Sequence, residues 1–515
     1  MKRWVGWTIA ACAATLLAAC AQMGPQKAAT APPLAPEPLT QDQAFAAIDK
    51  RFATFQAEEH VPGLVWGVVK DGRLIHLGVG GVQDFETETA VNADTLFRIA
   101  SMSKAFTALA ILKLRDEGKL SLDAPAETYV PEMKGWRYPT SDAPRIRVRD
   151  LLSHVGGLVT DDPWGDRQQD LSEADFSAML RAGPPFTRPP QTAFEYSNYG
   201  YAVLGRIIAN VSGKPYDQYI QAEIMRPLGM TSTGYEYRDA PQARRALGYR
   251  WEGDAYALEP TLGHGAFGAM GGVQTSASDY VKWVAFLLDA WPARDGAETG
   301  PVRRSSVREL AQGLNFASTR ERPGFDGGPP CRFALAYGMG MGAAQDCDLG
   351  FTLSHSGGYP GYGSNVLLMP DAGVGVFAFA SHTYTAPVPQ NLAAAFDLKK
   401  AGLLAPRQLA VAKPLADAYA AAGAMYKAGD LGPGQAMLAM NFLLDLSAEN
   451  WAKEFARLKT EVGACQTDAP LNATGALAGR FTWVCERGSL RGGVLLSPTQ
   501  PPAIQSLMLS VVKPQ

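Results

Sequence analysis

Strand-like runs lie at both ends of residues 42–400, and the stretch between them carries helix and loop signals instead. Near the start, "LVWGVVK" and "RLIHLGVG" flank Asp71-Gly72, a pair suited to a two-residue hairpin turn. Near the end come "FALAYGMGM", "GFTLSHSGG", "GSNVLLMP" and "GVGVFAFASH". One sheet drawn from both ends, with helices inserted between them, predicts an α/β-plus-α architecture: an antiparallel sheet flanked by helices, with a helical subdomain over about 120–260.

The helices are read from periodicity. Phe45, Ile48, Phe52 and Phe55 share a face over 42–59, ahead of the hairpin. A second helix begins near Ser101 and stops at Gly118. "GYAVLGRIIANVSG" is the clearest helix of the insert, which Pro- and Gly-rich loops such as "DDPWGD" and "RAGPPFTRPPQ" interrupt. "SASDYVKWVAFLLD" follows, with Ser276 or Ser278 as its cap, and a further helix covers roughly 388–402. After 405 the character changes. Two amphipathic helices, one with Trp451, Phe455, Leu458 and Val462 on one face, precede short strands and predict a separate small α+β domain at 405–515. It contains no catalytic constellation.

At 515 residues the chain suggests two or three domains. Lys2 and Arg3 precede the apolar stretch "WVGWTIAACAATLLAAC", the order of a secretory signal. Leu17-Ala18-Ala19-Cys20 resembles a bacterial lipoprotein cleavage box. The expectation is therefore a signal peptide over 1–19, a lipid on Cys20, a disordered tether over 20–41, and a periplasmic enzyme on a Gram-negative membrane. Ala21, where retention in the inner membrane would favour aspartate, implies the outer one. The net charge of −3 gives no electrostatic reason to expect nucleic acid. In an oxidising compartment Cys331, Cys347, Cys465 and Cys485 should pair. Of the three connectivities, the local pair Cys331–Cys347 and Cys465–Cys485 closes short loops and is preferred. Their spacing does not suit a metal site, and no metal or cofactor is expected.

The chemistry starts at Ser101-Met102-Ser103-Lys104. Residues three apart on a helix share a face, so the Ser101 hydroxyl and the Lys104 amine can meet. A hydroxyl needs a base to become a nucleophile, and lysine serves only when neutral, a state that burial favours. The apolar run from Ala105 to Leu112, broken only by Thr107, implies that burial. The Ser101 N–H suits an oxyanion. Ser-x-x-Lys alone is weak, since Ser510-Val511-Val512-Lys513 matches it in a strand-like tail. Two further elements follow in order. Tyr196-Ser197-Asn198 offers a tyrosine that a nearby ammonium would deprotonate below its usual pKa. Its asparagine can hold Lys104 by the carbonyl and a substrate amide by the NH2. His355-Ser356-Gly357-Gly358 ends a β-like run where glycines admit a ligand closely, with the Gly358 N–H as second oxyanion donor.

Ser-x-x-Lys, Tyr-x-Asn and a Lys-Thr-Gly-type strand are the three signatures of the serine β-lactamase and penicillin-binding-protein superfamily, which the chain resembles over residues 42–400. It is most similar to the class C-related branch of peptidases and esterases, through stretches such as "RVRDLLSHVGGL" and "HSGGYPGYGSNVLLMPDAGVGVFAFAS". The resemblance implies Ser101 as acylated nucleophile, Lys104 and Tyr196 as general base and acid, and Asn198, His355, Ser356, Gly357 and Gly358 around the substrate. The substrate would be a small amide, peptide or ester. A weak β-lactamase, or a noncatalytic periplasmic sensor using the same cleft, are the alternatives.

Two departures stand out. His355 occupies the place of a lysine that stays cationic and attracts a substrate carboxylate, whereas histidine is mostly neutral above pH 6.5. "FASHTY" lies where β-lactamases often place an asparagine, leaving His382 without a role. His154 reads as a loop-stabilising hydrogen-bonder, Asp161, Asp162 and Asp166 as solvated turn formers. Trp164 and Tyr249 fit the core or the cleft wall, and His264 adjoins a Gly-rich loop near the cleft.

Overall fold

Asp71 and Gly72 both take positive φ, 48° and 77°, and turn the chain back on itself in the computed structural model, which describes residues 38–512. Ahead of this turn, α1 (Gln41–Glu58) starts at a Thr40–Gln43 capping box and buries Ala44, Ile48, Phe52 and Phe55. The hairpin strands are β1 (Gly63–Lys70) and β2 (Arg73–Gly81). A single turn of tighter helix at Ala100–Ser103 leads into α2 (Lys104–Asp116). Within the insert, α3 spans Asn198–Ser212; after the insert, α4 (Ala277–Asp289) is capped by Ser276, whose hydroxyl accepts the Asp279 N–H.

The later strands are β3 (Asn315–Arg322), β4 (Cys331–Tyr337), β5 (Gly342–Asp346), β6 (Gly350–Tyr359), β7 (Tyr362–Met369) and β8 (Val374–Ala380). They join the hairpin in one eight-stranded sheet ordered β2-β1-β8-β7-β6-β5-β4-β3, every pairing antiparallel. The register that closes it sets Leu64 opposite Ala380. Side chains alternate between the faces. Leu64, Trp66 and Val68 pack with α1 and with α5 (Val388–Lys400), while Val65, Val69, Phe377 and Phe379 join the larger cluster around α2, α3 and α4.

The insert contains less helix than its composition predicts. Between α2 and α4 most helices are single turns, and Tyr249–Glu252 pairs with Ala255–Leu258 in a small hairpin. Proline and glycine break the helices that the apolar spacing would extend. Strands β3 and β5 also escape the sequence reading. β3 is a sheet edge rich in charge, and β5 is five residues long, so neither shows a clean alternation.

Beyond α5, α6 (Lys413–Ala428) and α7 (Ala448–Val462) cover a four-stranded antiparallel sheet of β9 (Asn472–Gly475), β10 (Ala478–Cys485), β11 (Gly488–Leu496) and β12 (Ile504–Val512). Trp451, Phe455, Leu458 and Val462 are buried as their spacing requires, in a hydrophobic cluster with Tyr426, Phe481 and Trp483. From Leu39 onward the described residues form one compact unit. Cys331 is bonded to Cys347, and Cys465 to Cys485. Cys331 also lies near Asp346 and Asp348, but its sulfur is committed to the disulfide and both carboxylates to Arg322. Cys20 and its flanking signal fall outside the described residues, as does Lys513, and among those residues no helix is long and apolar enough to cross a membrane.

Candidate active site

Ser101 sits in the turn before α2, held there by a strained backbone. Ala100 has φ +47°, in the region that L-residues other than glycine seldom occupy. Ser103 staples the turn, its hydroxyl donating to Ala100 O at 2.6 Å and accepting Val273 N–H at 3.0 Å. On the other side the strand β6 presses close. A Cβ on Gly357 would lie 2.3 Å from both Ile99 O and Ser364 Oγ, so only glycine fits. His355-Ser356-Gly357-Gly358 is thereby set against the Ser101 turn.

Lys104 is fully buried, and its Nζ has three partners: Ser101 Oγ at 3.0 Å, Asn198 Oδ1 at 2.7 Å and Met270 O at 2.8 Å. Two of these are acceptors only. A neutral Lys104 would thus spend both N–H bonds on Asn198 and Met270 and turn its lone pair to the Ser101 hydroxyl. Burial lowers the Lys104 pKa from its ordinary value of 10.5 to about 8, against the opposing pull of Asp162, Asp166 and Asp161.

Tyr196 lies beside this pair. Its ring centroid is 4.8 Å from Lys104 Nζ, and its oxygen shares a hydrogen bond with Ser101. The expected phenolate does not follow. Burial, then the negative charge of Asp162, push Tyr196 well above the usual tyrosine range, outweighing the Ser101 bond. Asn198 holds Lys104 as anticipated, but its amide nitrogen donates to the Asp162 carboxylate instead of facing open space for a substrate amide.

The acidic turn is likewise not the solvated loop its composition suggests. Asp161 and Asp166 are buried, and only Asp162 is exposed. Asp161 accepts the N–H groups of Asn198 (2.7 Å) and Tyr199 (2.8 Å), neutralising the positive end of α3. Burial and the neighbouring Asp162 push Asp166 up to about 7, and it accepts the Tyr384 hydroxyl at 3.2 Å.

His355 is locked by two hydrogen bonds. Its Nδ1 is 2.6 Å from Ser356 O, which can only accept, so Nδ1 carries the proton. Nε2, 3.0 Å from the Tyr337 hydroxyl, then accepts from it. Burial, reinforced by the Lys104 charge, depresses the His355 pKa to about 3. The His355 imidazole is therefore neutral at ordinary pH. His154 fulfils its loop-holding role, its Nδ1 accepting the Ser197 N–H at 3.1 Å and its ring lying 4.3 Å from that of Tyr196.

The remaining candidates lie elsewhere. His382 accepts Trp251 N–H and meets Thr385 Oγ1, inside its own turn. His264 faces Asp217 and Glu236 in a separate polar groove. Tyr249 is buried with its hydroxyl on Asp84, and Trp164 is half exposed at the rim of an apolar cavity of about 320 Å³. Three contributors had no sequence signal: the Met270 carbonyl, because backbone groups leave no trace in side-chain spacing, and Tyr337 and Tyr384, whose aromatic type reads as packing.

A family model described as Beta-lactamase matches residues 48–399. The protein flp of Staphylococcus aureus (strain N315) is 29% identical over 342 residues, covering 65% of this chain and 62% of that protein. Penicillin-binding protein 4 of Amycolatopsis lactamdurans is 29% identical over 281 residues, 52% of this chain and 72% of its own. In fold, the chain is similar to an octameric penicillin-binding protein homologue from Pyrococcus abyssi, with TM-score 0.57, 20% identity, and coverage of 88% of this chain and 96% of that one. It is also similar to a class C β-lactamase from Rhodobacter sphaeroides, with TM-score 0.52, 24% identity, and coverage of 70% and 99%. The family match spans more than half of the sequence and contains Ser101, Lys104, Tyr196 and His355, so the chain belongs to the Beta-lactamase family, within the superfamily of serine β-lactamases and penicillin-binding proteins.

Proposed function

We propose that this family hydrolase forms an acyl-enzyme on Ser101 with small amides, peptides or esters. The observation that carries the reading is the three-partner shell of Lys104. With Lys104 neutral, Ser101 Oγ attacks the substrate carbonyl carbon while its proton passes to the Lys104 lone pair. The carbonyl π pair moves to oxygen, where the Ser101 N–H and the Gly358 N–H are the proposed donors. Collapse of the tetrahedral adduct breaks the bond to the leaving group, which takes a proton from Tyr196 as Tyr196 takes one from Lys104. A tyrosine of high pKa suits this relay, since it gives up a proton only as it receives another. Water then repeats the sequence in reverse and frees the acid.

The substrate class follows from His355. A neutral imidazole whose donor is already engaged offers nothing to a carboxylate, which supports peptidase, amidase or esterase chemistry over β-lactam hydrolysis. We further propose an exported protein tethered through a lipid on Cys20, with no nucleic-acid partner. Incubation with p-nitrophenyl esters, D-amino-acid anilides and nitrocefin, beside Ser101→Ala, tests the reaction. Turnover of the first two classes should vanish in the variant; equal rates for both proteins on every substrate would falsify the assignment of Ser101.

A further inference from the structure

Tyr384 and Asp166 take no part in the reaction above, yet they meet beside it. Tyr384 holds φ +55°, which a bulky side chain adopts only under constraint from its surroundings. Its N–H is shared between Tyr359 O (3.3 Å) and Tyr362 O (3.2 Å), at the turn that joins β6 to β7. Its ring covers Gly358, where an added Cβ would meet Tyr384 Cδ1 at 2.8 Å. From there its hydroxyl reaches Asp166 Oδ2.

Asp166 belongs to the opposite wall. Its neighbour Gly165 packs on Asn198, where an added Cβ would lie 3.1 Å from Asn198 Cβ. The Tyr384–Asp166 bond thus ties the strand carrying His355 to Gly358 to the turn behind Asn198, with the Ser101 turn between them. Tyr384 is 40% exposed and Asp166 3%, so the tyrosine arches from solvent down to the carboxylate.

Neither wall needs this bond for its own shape. The Tyr384 turn is already secured by Thr383 N–H on Tyr249 O, by Thr383 Oγ1 beside Glu259 Oε1, and by His382 Nδ1 beside Thr385 Oγ1. The α3 terminus is capped by Asp161 and Ser197 rather than by Asp166. A strained residue and a buried carboxylate are left joined across the cleft with no structural task.

We propose that Tyr384 and Asp166 form a clasp over the cleft that limits the breadth of the substrate, so that narrow esters and amides reach Ser101 and broad ones are excluded. The proposal deepens the hydrolase reading and rests on it. Both residues act on specificity by shape, and neither exchanges a proton with the substrate.

The test compares kcat/KM for p-nitrophenyl acetate with that for p-nitrophenyl benzoate and p-nitrophenyl trimethylacetate, on the full chain. Tyr384→Gly removes the ring and suits the positive φ, so it does not strain the turn. It should raise the ratio of broad to narrow ester about tenfold, the scale at which pocket shape discriminates. Tyr384→Phe and Asp166→Ala each break the bond and should raise the ratio less; Asp166→Ala also removes a charge that acts on Lys104, an effect common to all three esters that cancels in the ratio. Their combination should gain no more than the larger single change, because both remove one interaction. A wild-type ratio in Tyr384→Gly overturns the clasp, as does full additivity of the two bond-breaking changes. If instead wild type and Ser101→Ala are equally inactive on all three esters, the hydrolase reading itself fails and the clasp falls with it.

Discussion

In the proposed reaction one buried amine, Lys104, sets the working pH. Its depression from 10.5 to about 8 corresponds to about 3 kcal/mol of unfavourable ammonium burial at neutral pH. The unfolded chain keeps its Lys104 proton up to the ordinary value, above the folded one. Stability contributed by this residue therefore rises with pH between about 8 and 10.5, and the penalty is full below that window. The proposed mechanism makes activity follow the same titration. On an ester of fixed charge, kcat/KM should climb with pH and level off above about 8; a flat profile from pH 6 to 9 would exclude Lys104 as the base. His355→Lys restores a cation and should shift preference toward carboxylate-bearing substrates such as nitrocefin, about tenfold relative to a neutral ester, read as a change in KM more than in kcat. The spacing of Ser101 and Lys104 made their contact legible in the sequence. The protonation of Tyr196 was not legible, because it depends on burial and on Asp162, thirty-odd positions away on a turn that reads as solvated.

At the scale of elements, the site depends on how tightly β6 lies against the Ser101 turn. Gly357→Ala would force a methyl into the backbone oxygen of Ile99 and into Ser364 Oγ, a fully buried hydroxyl held by its hydrogen bond to Ile99 O. The turn should retreat by a fraction of an ångström, and kcat should fall about a hundredfold, the cost of misplacing reacting groups on that scale. A thermal melt within a few degrees of wild type alongside that loss would separate misplacement from unfolding. Asp161→Ala removes the acceptor for two N–H groups at the start of α3 and should cost about 1–2 kcal/mol in denaturant unfolding. An unchanged midpoint would show that Ser197 alone caps the helix. The helices with strong apolar spacing, α1, α3, α4 and α7, were readable because one face of each is buried continuously. Strands β3 and β5 and the hairpin near Trp251 were not, since an edge or a short strand buries too little to impose a pattern.

Across the whole molecule, the two disulfides divide their work between the regions that hold them. Cys331–Cys347 joins β4 to the end of β5 in the large sheet, and Cys465–Cys485 ties the residues after α7 to β10. Thiol titration of the denatured, unreduced protein should find none of these four free; four free thiols would refute both bonds. Losing the second pair by double serine substitution opens a 20-residue loop and should cost about 3 kcal/mol, seen first in the environment of Trp451 and Trp483. The pairing of Leu64 with Ala380 has a consequence of a different kind. Strand β1 is almost entirely apolar, and its partner on the side away from the hairpin is made 316 positions later. A growing chain holds that surface unpaired until about three-quarters of its length exists, so sheet closure is a late, long-range and slow event. Such a protein is at its most adhesive while incomplete, and its yield in a cell depends on what shelters β1 during that wait.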